Sequence, residues 1–319
     1  MSMANPVSLA RVAKAHPVGV RHFVWQDTAT GGDARPFAAA LWYPSRADRR
    51  LPKPYMGVLP AVAVEDADPL PVASPLAVIS HGYGGARFDQ AFLAEYLAAN
   101  GIACLTVTHA DTAAGPTRWH HLLQRPRQFA AAVRTLREAV DNGSCAVSID
   151  WEQVILVGHS AGAYSALVGA GANPRFDQEP EFAGIADLQA FAADRHRVDG
   201  VRAVVLLAPA LSNLFDAAGL RPVACPALVV AAEHETTRLL GSVDAYARLL
   251  ADVRYATLEG AGHYAFVNVC PPSLCRLAPT ICGGDTRPRG ELHRTLLALL
   301  AAFLADALVE EPVRRRKNG

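Results

Sequence analysis

The chain has 319 residues, 51% of them hydrophobic and 19% charged, which is ample material for one large core. Its 30 basic and 30 acidic residues cancel, so no nucleic acid and no anionic membrane surface is expected as the main partner. No apolar run approaches the roughly 18 residues that a transmembrane helix needs. The first twenty residues lack the apolar stretch of a secretory signal, so the chain as it stands reads as cytoplasmic, or as periplasmic or secreted if a signal has been trimmed.

Residues 18–27 and 37–44 read as two strands around the Gly-Gly turn TGGDARP. Residues 45–75 form a proline-rich excursion with little periodicity, and loops of that length tend to be lids or to be disordered. From Leu76 the pattern becomes regular: strand 76–80, the turn His81-Gly82-Tyr83-Gly84-Gly85, helix 88–101, strand 102–109, helix 127–143, strand 153–158 and helix 161–172. The helices 88–101 and 127–143 both stop at Asn-Gly. Residues 172–199 interrupt the alternation and read as a small cap insertion. Strands 201–209 and 226–232, helix 240–252, strand 254–260 and an amphipathic helix 291–308 complete the chain. Strands that are apolar throughout and alternate with helices indicate an α/β fold with a mostly parallel sheet covered on both faces. Residues 1–319 then make a single domain, without internal repeats. Nothing in the composition bears on oligomeric state.

The stretch EQVILVGHSAGAYSAL, residues 152–167, sets Ser160 between Gly158 and Gly162, at the junction of a strand and a helix. A hydroxyl is a poor nucleophile at neutral pH, and it must stand clear of its own backbone to reach a carbonyl. A tight strand-to-helix turn exposes it, provided the residues two positions either side are small. The turn also brings Ser160 to a helix N-terminus, where the free N–H of Ala161 can receive a developing oxyanion. A second donor is expected from the turn after strand 76–80, with the Tyr83 N–H favoured because the neighbouring glycines allow close backbone approach. The Tyr83 ring could wall the acyl pocket, and His81 and His159 read as supports of the two turns.

A nucleophile of this kind needs a base and an acid, in the chain order serine, acid, histidine. Of eleven histidines, His263 stands in the loop sequence LEGAGHYAF just after the last predicted strand, at the sheet edge where parallel sheets build their sites. The acid should follow strand 226–232, where Glu233-His234-Glu235 stands. Glu235, at the far end of the turn, is the first choice; Glu233 and Asp216 remain as alternatives. The expected chemistry needs no cofactor and no metal.

Together, SHGYGG, GHSAGA, VVAAEHE and GAGHYAF resemble, in that order, the motifs of the α/β-hydrolase fold, over about residues 18–308. More narrowly, LWYPS, SHGYGG and RPRQFAAAVRTL resemble dienelactone hydrolase-like proteins, which are similar to the plasma-type platelet-activating-factor acetylhydrolases and the bacterial polyester hydrolases. In the polyester hydrolases a corresponding strand ends in Glu-Asn-Asp, whose last residue is the acid. That implies Glu235 here, with glutamate in place of aspartate. True dienelactone hydrolases use a cysteine nucleophile, so Ser160 departs from them and dienelactone is not implied as substrate. The resemblance implies a serine esterase or lipase-like enzyme acting on a small-molecule ester through an acyl-enzyme. Acyl transfer and amide or peptide cleavage would use the same residues, and a non-catalytic binding protein on the same scaffold is the contrasting class.

The six cysteines form no Cys-x-x-Cys pair. Cys270, Cys275 and Cys282 lie in a segment with prolines and glycines, which excludes a long helix or central strand and places a loop near the mouth of the site. Zinc fits poorly because the spacings match no common site and a fourth ligand is missing. Free thiols and a disulfide remain open, Cys270 with Cys282 being the pair of choice.

Overall fold

The computed structural model describes residues 15–26, 36–111, 120–182, 184, 191, 193–237 and 241–308. The turn expected at TGGDARP falls almost wholly outside the described residues. Nine strands form one sheet in the order β3-β1-β2-β5-β4-β6-β7-β8-β9. They are β1 (Val18–Gln26), β2 (Pro36–Pro44), β3 (Val64–Glu65), β4 (Ser74–Ser80), β5 (Ala103–Val107), β6 (Ile149–His159), β7 (Val201–Leu207), β8 (Ala227–His234) and β9 (Val253–Gly262). β2 is antiparallel to β1 and β5; the other pairings are parallel. The central strands β4, β5 and β7 are buried almost end to end, as strands covered on both faces must be.

Helices α1 (Ala91–Ala99), α2 (His120–Asp141), α3 (Gly162–Gly169), α4 (Val243–Leu249) and α5 (Arg289–Ala307) flank the sheet. Leu93 and Leu97 of α1 share one core cluster with Leu296, Leu300 and Phe303 of α5. Phe129 and Leu136 of α2, Tyr164 and Leu167 of α3 and Tyr246 of α4 belong to the cluster on the opposite face. The order turns around β4: β5 lies on one side of it and β6 on the other. The connections after β4 and β6 therefore diverge, which opens a crevice at their carboxyl ends.

Three differences from the sequence expectations have physical causes. Helix α2 begins at His120, before Pro126, not at residue 127. A proline inside a helix withdraws the N–H that would bond the carbonyl four residues back, here that of Leu122. The Tyr164 hydroxyl donates to this carbonyl at 2.7 Å, so α3 supplies the donor that Pro126 lacks. The 45–75 excursion is ordered: Trp42 Nε1 donates to the Tyr55 hydroxyl at 2.7 Å, and that hydroxyl donates to Glu95 of α1 at 2.6 Å. The segment around Cys270–Cys282 contains two short helices, Pro272–Leu277 and Pro279–Cys282, each with a proline in its first turn. Within 172–199, short 3-10 turns occur at Phe176–Gln178, Pro180–Phe182 and Ala193–His196. Phe176 and Phe182 bury in the α2/α3 core, and the remainder of that stretch lies mostly outside the described residues.

Candidate active site

Ser160 follows the last residue of β6 with a φ of 53°, in the left-handed region that a residue with a Cβ enters only when its surroundings impose it. The surroundings do impose it: the Ser160 N–H bonds the Leu207 carbonyl at 3.0 Å, and its own carbonyl accepts from Ala163 and Ala210. The flanking glycines are required by space. A Cβ on Gly158 would run into the Gly162 carbonyl, and one on Gly162 into the Ser80 carbonyl at the end of β4. The two turns touch across the crevice, since a Cβ on Gly82 would stand 3.4 Å from the Ser160 Cβ.

His263 begins the turn after β9. Its Nε2 lies 2.9 Å from Ser160 Oγ, and its Nδ1 lies 2.7 Å from Glu235 Oε2. With a carboxylate at Nδ1, that nitrogen carries the proton and Nε2 accepts from the serine hydroxyl. Ser160 and His263 are both buried. The other Glu235 oxygen, Oε1, accepts from the Thr237 N–H at 2.6 Å, which fixes the carboxylate plane. Glu233 is turned away and accepts from the Gly260 N–H at 2.6 Å. Asp216 caps the helical turn Ala217–Leu220 through the Gly219 N–H and pairs with Arg175 at 3.1 Å. Of the three candidate carboxylates, only Glu235 meets the imidazole.

Among the described residues, neither the Tyr83 nor the Ala161 N–H has a hydrogen-bond acceptor. The Tyr83 ring is exposed and meets His121 edge-on, with ring centroids 4.9 Å apart. His81 and His159 are buried, and burial pushes each imidazole down to about 3. Both are therefore neutral in the folded protein. His81 Nε2 accepts from the His109 N–H at 2.9 Å, which leaves its proton on Nδ1 to donate to the Gly82 carbonyl at 2.6 Å. His159 Nε2 donates to the His263 carbonyl at 3.1 Å. The two histidines thus tie together the backbones that carry the site.

Two charged pairs escaped the sequence reading. Arg125 and Asp111 form a bidentate ion pair behind the His81–Gly84 turn, at 2.7 Å for both contacts. Asp285 accepts from the Gly262 N–H at 2.8 Å and from Arg289 at 2.8 Å, anchoring the residue before His263. The spacing of Asp285 and Arg289 over four residues was a visible signal; Arg125 stood at the head of the stretch RPRQFAAAVRTL, but nothing in the sequence joined it to Asp111. Cys270 and Cys282 are joined in a disulfide. The loop they close connects to the histidine turn through its neighbours: Arg289, bonded to Asp285, donates to the Ile281 carbonyl at 2.9 Å, and just beyond the loop a Cβ on Gly262 would come within 2.6 Å of the Gly284 carbonyl. The sulfurs of Cys270, Cys275 and Cys282 lie within 4.8 Å of one another, but two of them are consumed by the disulfide and offer no thiolate to a metal.

No protein-family model matches the chain, and no curated protein matches it. Solved structures do. A ferulic acid esterase from Streptomyces cinnamoneus is 19% identical, with 97% of this chain and 95% of that chain covered and a TM-score of 0.63. A presumed carboxylesterase from Lactobacillus plantarum WCFS1 is 14% identical, with 91% and 100% covered and a TM-score of 0.48. The first likeness, which spans nearly the whole of both chains, shows the fold: this chain has the mostly parallel, helix-flanked sheet of the α/β-hydrolases. No helix among the described residues is long and apolar enough to cross a membrane.

Proposed function

We propose that the protein is a serine carboxylester hydrolase working through an acyl-enzyme. The observation that carries this reading is the unbroken relay from Ser160 Oγ through both His263 nitrogens to Glu235 Oε2, at 2.9 and 2.7 Å. Ser160 Oγ attacks the ester carbonyl carbon as its proton passes to His263 Nε2. The carbonyl oxygen becomes an oxyanion and takes hydrogen bonds from the Tyr83 and Ala161 N–H groups. The C–O bond to the alcohol breaks, and the alcohol leaves with the proton from Nε2. Water then gives its proton to Nε2 and attacks the acyl carbon, and Ser160 recovers its proton as the acid departs. Glu235 stays ionised throughout and stabilises the imidazolium from the Nδ1 side.

Labelling with a fluorophosphonate probe, followed by peptide mapping, tests the nucleophile. Wild-type protein should be labelled at Ser160, and Ser160→Ala should lose label and about 10³-fold or more of its turnover while keeping its fold. A variant keeping a tenth of the activity would refute the assignment. A panel of p-nitrophenyl esters of rising chain length, with a hydroxycinnamate ester suggested by the name of the Streptomyces neighbour and a small amide series, then separates ester hydrolysis from amide cleavage. Added alcohol or amine acceptors reveal acyl transfer.

A further inference from the structure

We propose that Arg125 and Asp111 are positioning residues that hold the Gly82–Tyr83 peptide in the one orientation that aims the Tyr83 N–H at the oxyanion. The inference rests on the serine-hydrolase reading above and adds to it a device that sets the oxyanion-binding turn.

The turn after β4 is rich in glycine, with Gly84 at a φ of +71°, and within the turn the Gly82 carbonyl is held by the Gly85 N–H at 3.1 Å and by His81 Nδ1. Arg125 adds a buried, charged hold from outside the turn. Its side chain is completely buried, and that of Asp111 almost so. Arg125 Nε and Nη2 donate to the two Asp111 oxygens at 2.7 Å each. Nη1 donates to the His81 carbonyl at 2.8 Å and Nη2 to the Gly82 carbonyl at 2.8 Å. Asp111 Oδ2 also accepts from the Gly84 N–H at 2.8 Å. The pair therefore grips residues 81, 82 and 84 and leaves the N–H of residue 83 unused.

The Gly82 carbonyl and the Tyr83 N–H belong to one peptide plane. In a trans peptide these two groups point in opposite directions. A carbonyl drawn toward the guanidinium forces the N–H away from it, out of the protein interior. The same carbonyl also accepts from His81 Nδ1 at 2.6 Å and from the Gly85 N–H at 3.1 Å, so a flip would forfeit all three bonds. A flipped peptide would present a carbonyl oxygen to the substrate, and that oxygen would repel the developing oxyanion. Burial alone would push the Asp111 carboxyl up, but the Arg125 charge and hydrogen bonds, with the Gly84 N–H, hold it below the ordinary carboxylate value. A buried pair of this kind is a weak source of stability compared with an apolar replacement, so its value here lies in the geometry it imposes. Lysine cannot substitute, because one ammonium does not reproduce the planar fork that reaches a carboxylate and two carbonyls together.

The test compares wild type, Arg125→Lys, Arg125→Gln and Asp111→Asn, with circular dichroism and urea midpoints to establish folding. Fluorophosphonate labelling of wild type at Ser160 reports separately on the serine-hydrolase reading, so loss of that reading is recognised by itself. In the folded variants kcat for a p-nitrophenyl ester should fall about 10²- to 10³-fold, the effect of losing one oxyanion donor, with KM changed less than about threefold. Affinity for a trifluoromethyl ketone, whose adduct carries the oxyanion, should fall in step with kcat. Amide hydrogen exchange across residues 82–84 should quicken. A folded variant with kcat within about fivefold of wild type, or one whose kcat falls without loss of ketone affinity, overturns the proposal. Failure of all three variants to fold would assign the pair to stability and overturn it equally.

Discussion

His263 Nδ1 stands 2.7 Å from Glu235 Oε2, while the other oxygen of the same carboxylate is taken by the Thr237 N–H at 2.6 Å. The carboxylate thus has one face for the imidazole and one for its own loop, and the ring cannot turn without breaking a charge-assisted bond.

Glu235→Gln should therefore cost about 10³- to 10⁴-fold in kcat. The amide can donate to Nδ1 and so drive the imidazole into the tautomer that cannot accept the serine proton. Glu233→Gln, bonded to the Gly260 N–H, and Asp216→Asn, bonded to Gly219 and Arg175, should stay within about tenfold of wild type. Steady-state kinetics on the three purified variants give the ranking. Greater loss from Glu233→Gln than from Glu235→Gln would transfer the role.

Gly162→Ala should damage both stability and activity, because its Cβ would overlap the Ser80 carbonyl, which is backbone and cannot rotate aside. Overpacking in a rigid site costs about 1–3 kcal/mol. Gly84→Ala has open space around it but a φ of +71°, so it should cost only the left-handed strain, about 1–2 kcal/mol. Urea midpoints of both variants, with kcat measured on the folded fraction, check this. Gly162→Ala retaining wild-type kcat would contradict the contact between the two turns.

Stability should fall as pH drops below about 6.5, the ordinary histidine value. Burial pushes His81 and His159 down to about 3, His293 to about 4 and His109 well below the ordinary value. Between those values and 6.5 the unfolded chain binds protons that the folded protein refuses, so acid favours unfolding. Each such histidine contributes up to about 1.4 kcal/mol per pH unit over that window. Asp89 opposes them: burial raises its carboxyl to about 6, so below that pH the folded state takes up a proton the unfolded state does not. Burial lowers His22 as well, so five histidines against one carboxyl leave acid destabilising. Urea midpoints at pH 7.5, 6 and 5 should decrease in that order, and a midpoint that rises on acidification would contradict the neutral, buried histidines.

The thiols should divide into three groups. Cys275 is exposed, whereas Cys104 and Cys145 are buried and Cys225 is half-buried, with burial pushing Cys225 up to about 11. Native protein should therefore react rapidly at one thiol with a disulfide reagent. Denatured, unreduced protein should show four, and reduced protein six. Peptide mapping should join Cys270 to Cys282. Six thiols without reduction would remove the bond, and with it about 3 kcal/mol expected from closing a loop of this length.

The amino-acid sequence determined the alternation of apolar strands with helices and the α/β class that follows from it, because burial on both faces of a sheet leaves a continuous apolar run that needs no distant partner to be read. The elbow was legible for a similar reason: a turn that tight admits only glycine at Gly158 and Gly162, and the constraint is local. Other features depended on residues far apart in the chain. Glu233 and Glu235 are two positions apart, and regular strand geometry would point them the same way. The pairing of β8 with β9 shifts register between Ala232 and His234, and beyond that irregularity one carboxylate faces Gly260 and the other His263. The start of α2 ahead of Pro126 required a hydroxyl from Tyr164 on another helix. Arg125 and Asp111 meet only because α2 packs behind the turn after β4. A buried ion pair is defined by the surroundings that exclude water from it, and those surroundings exist only in the folded chain.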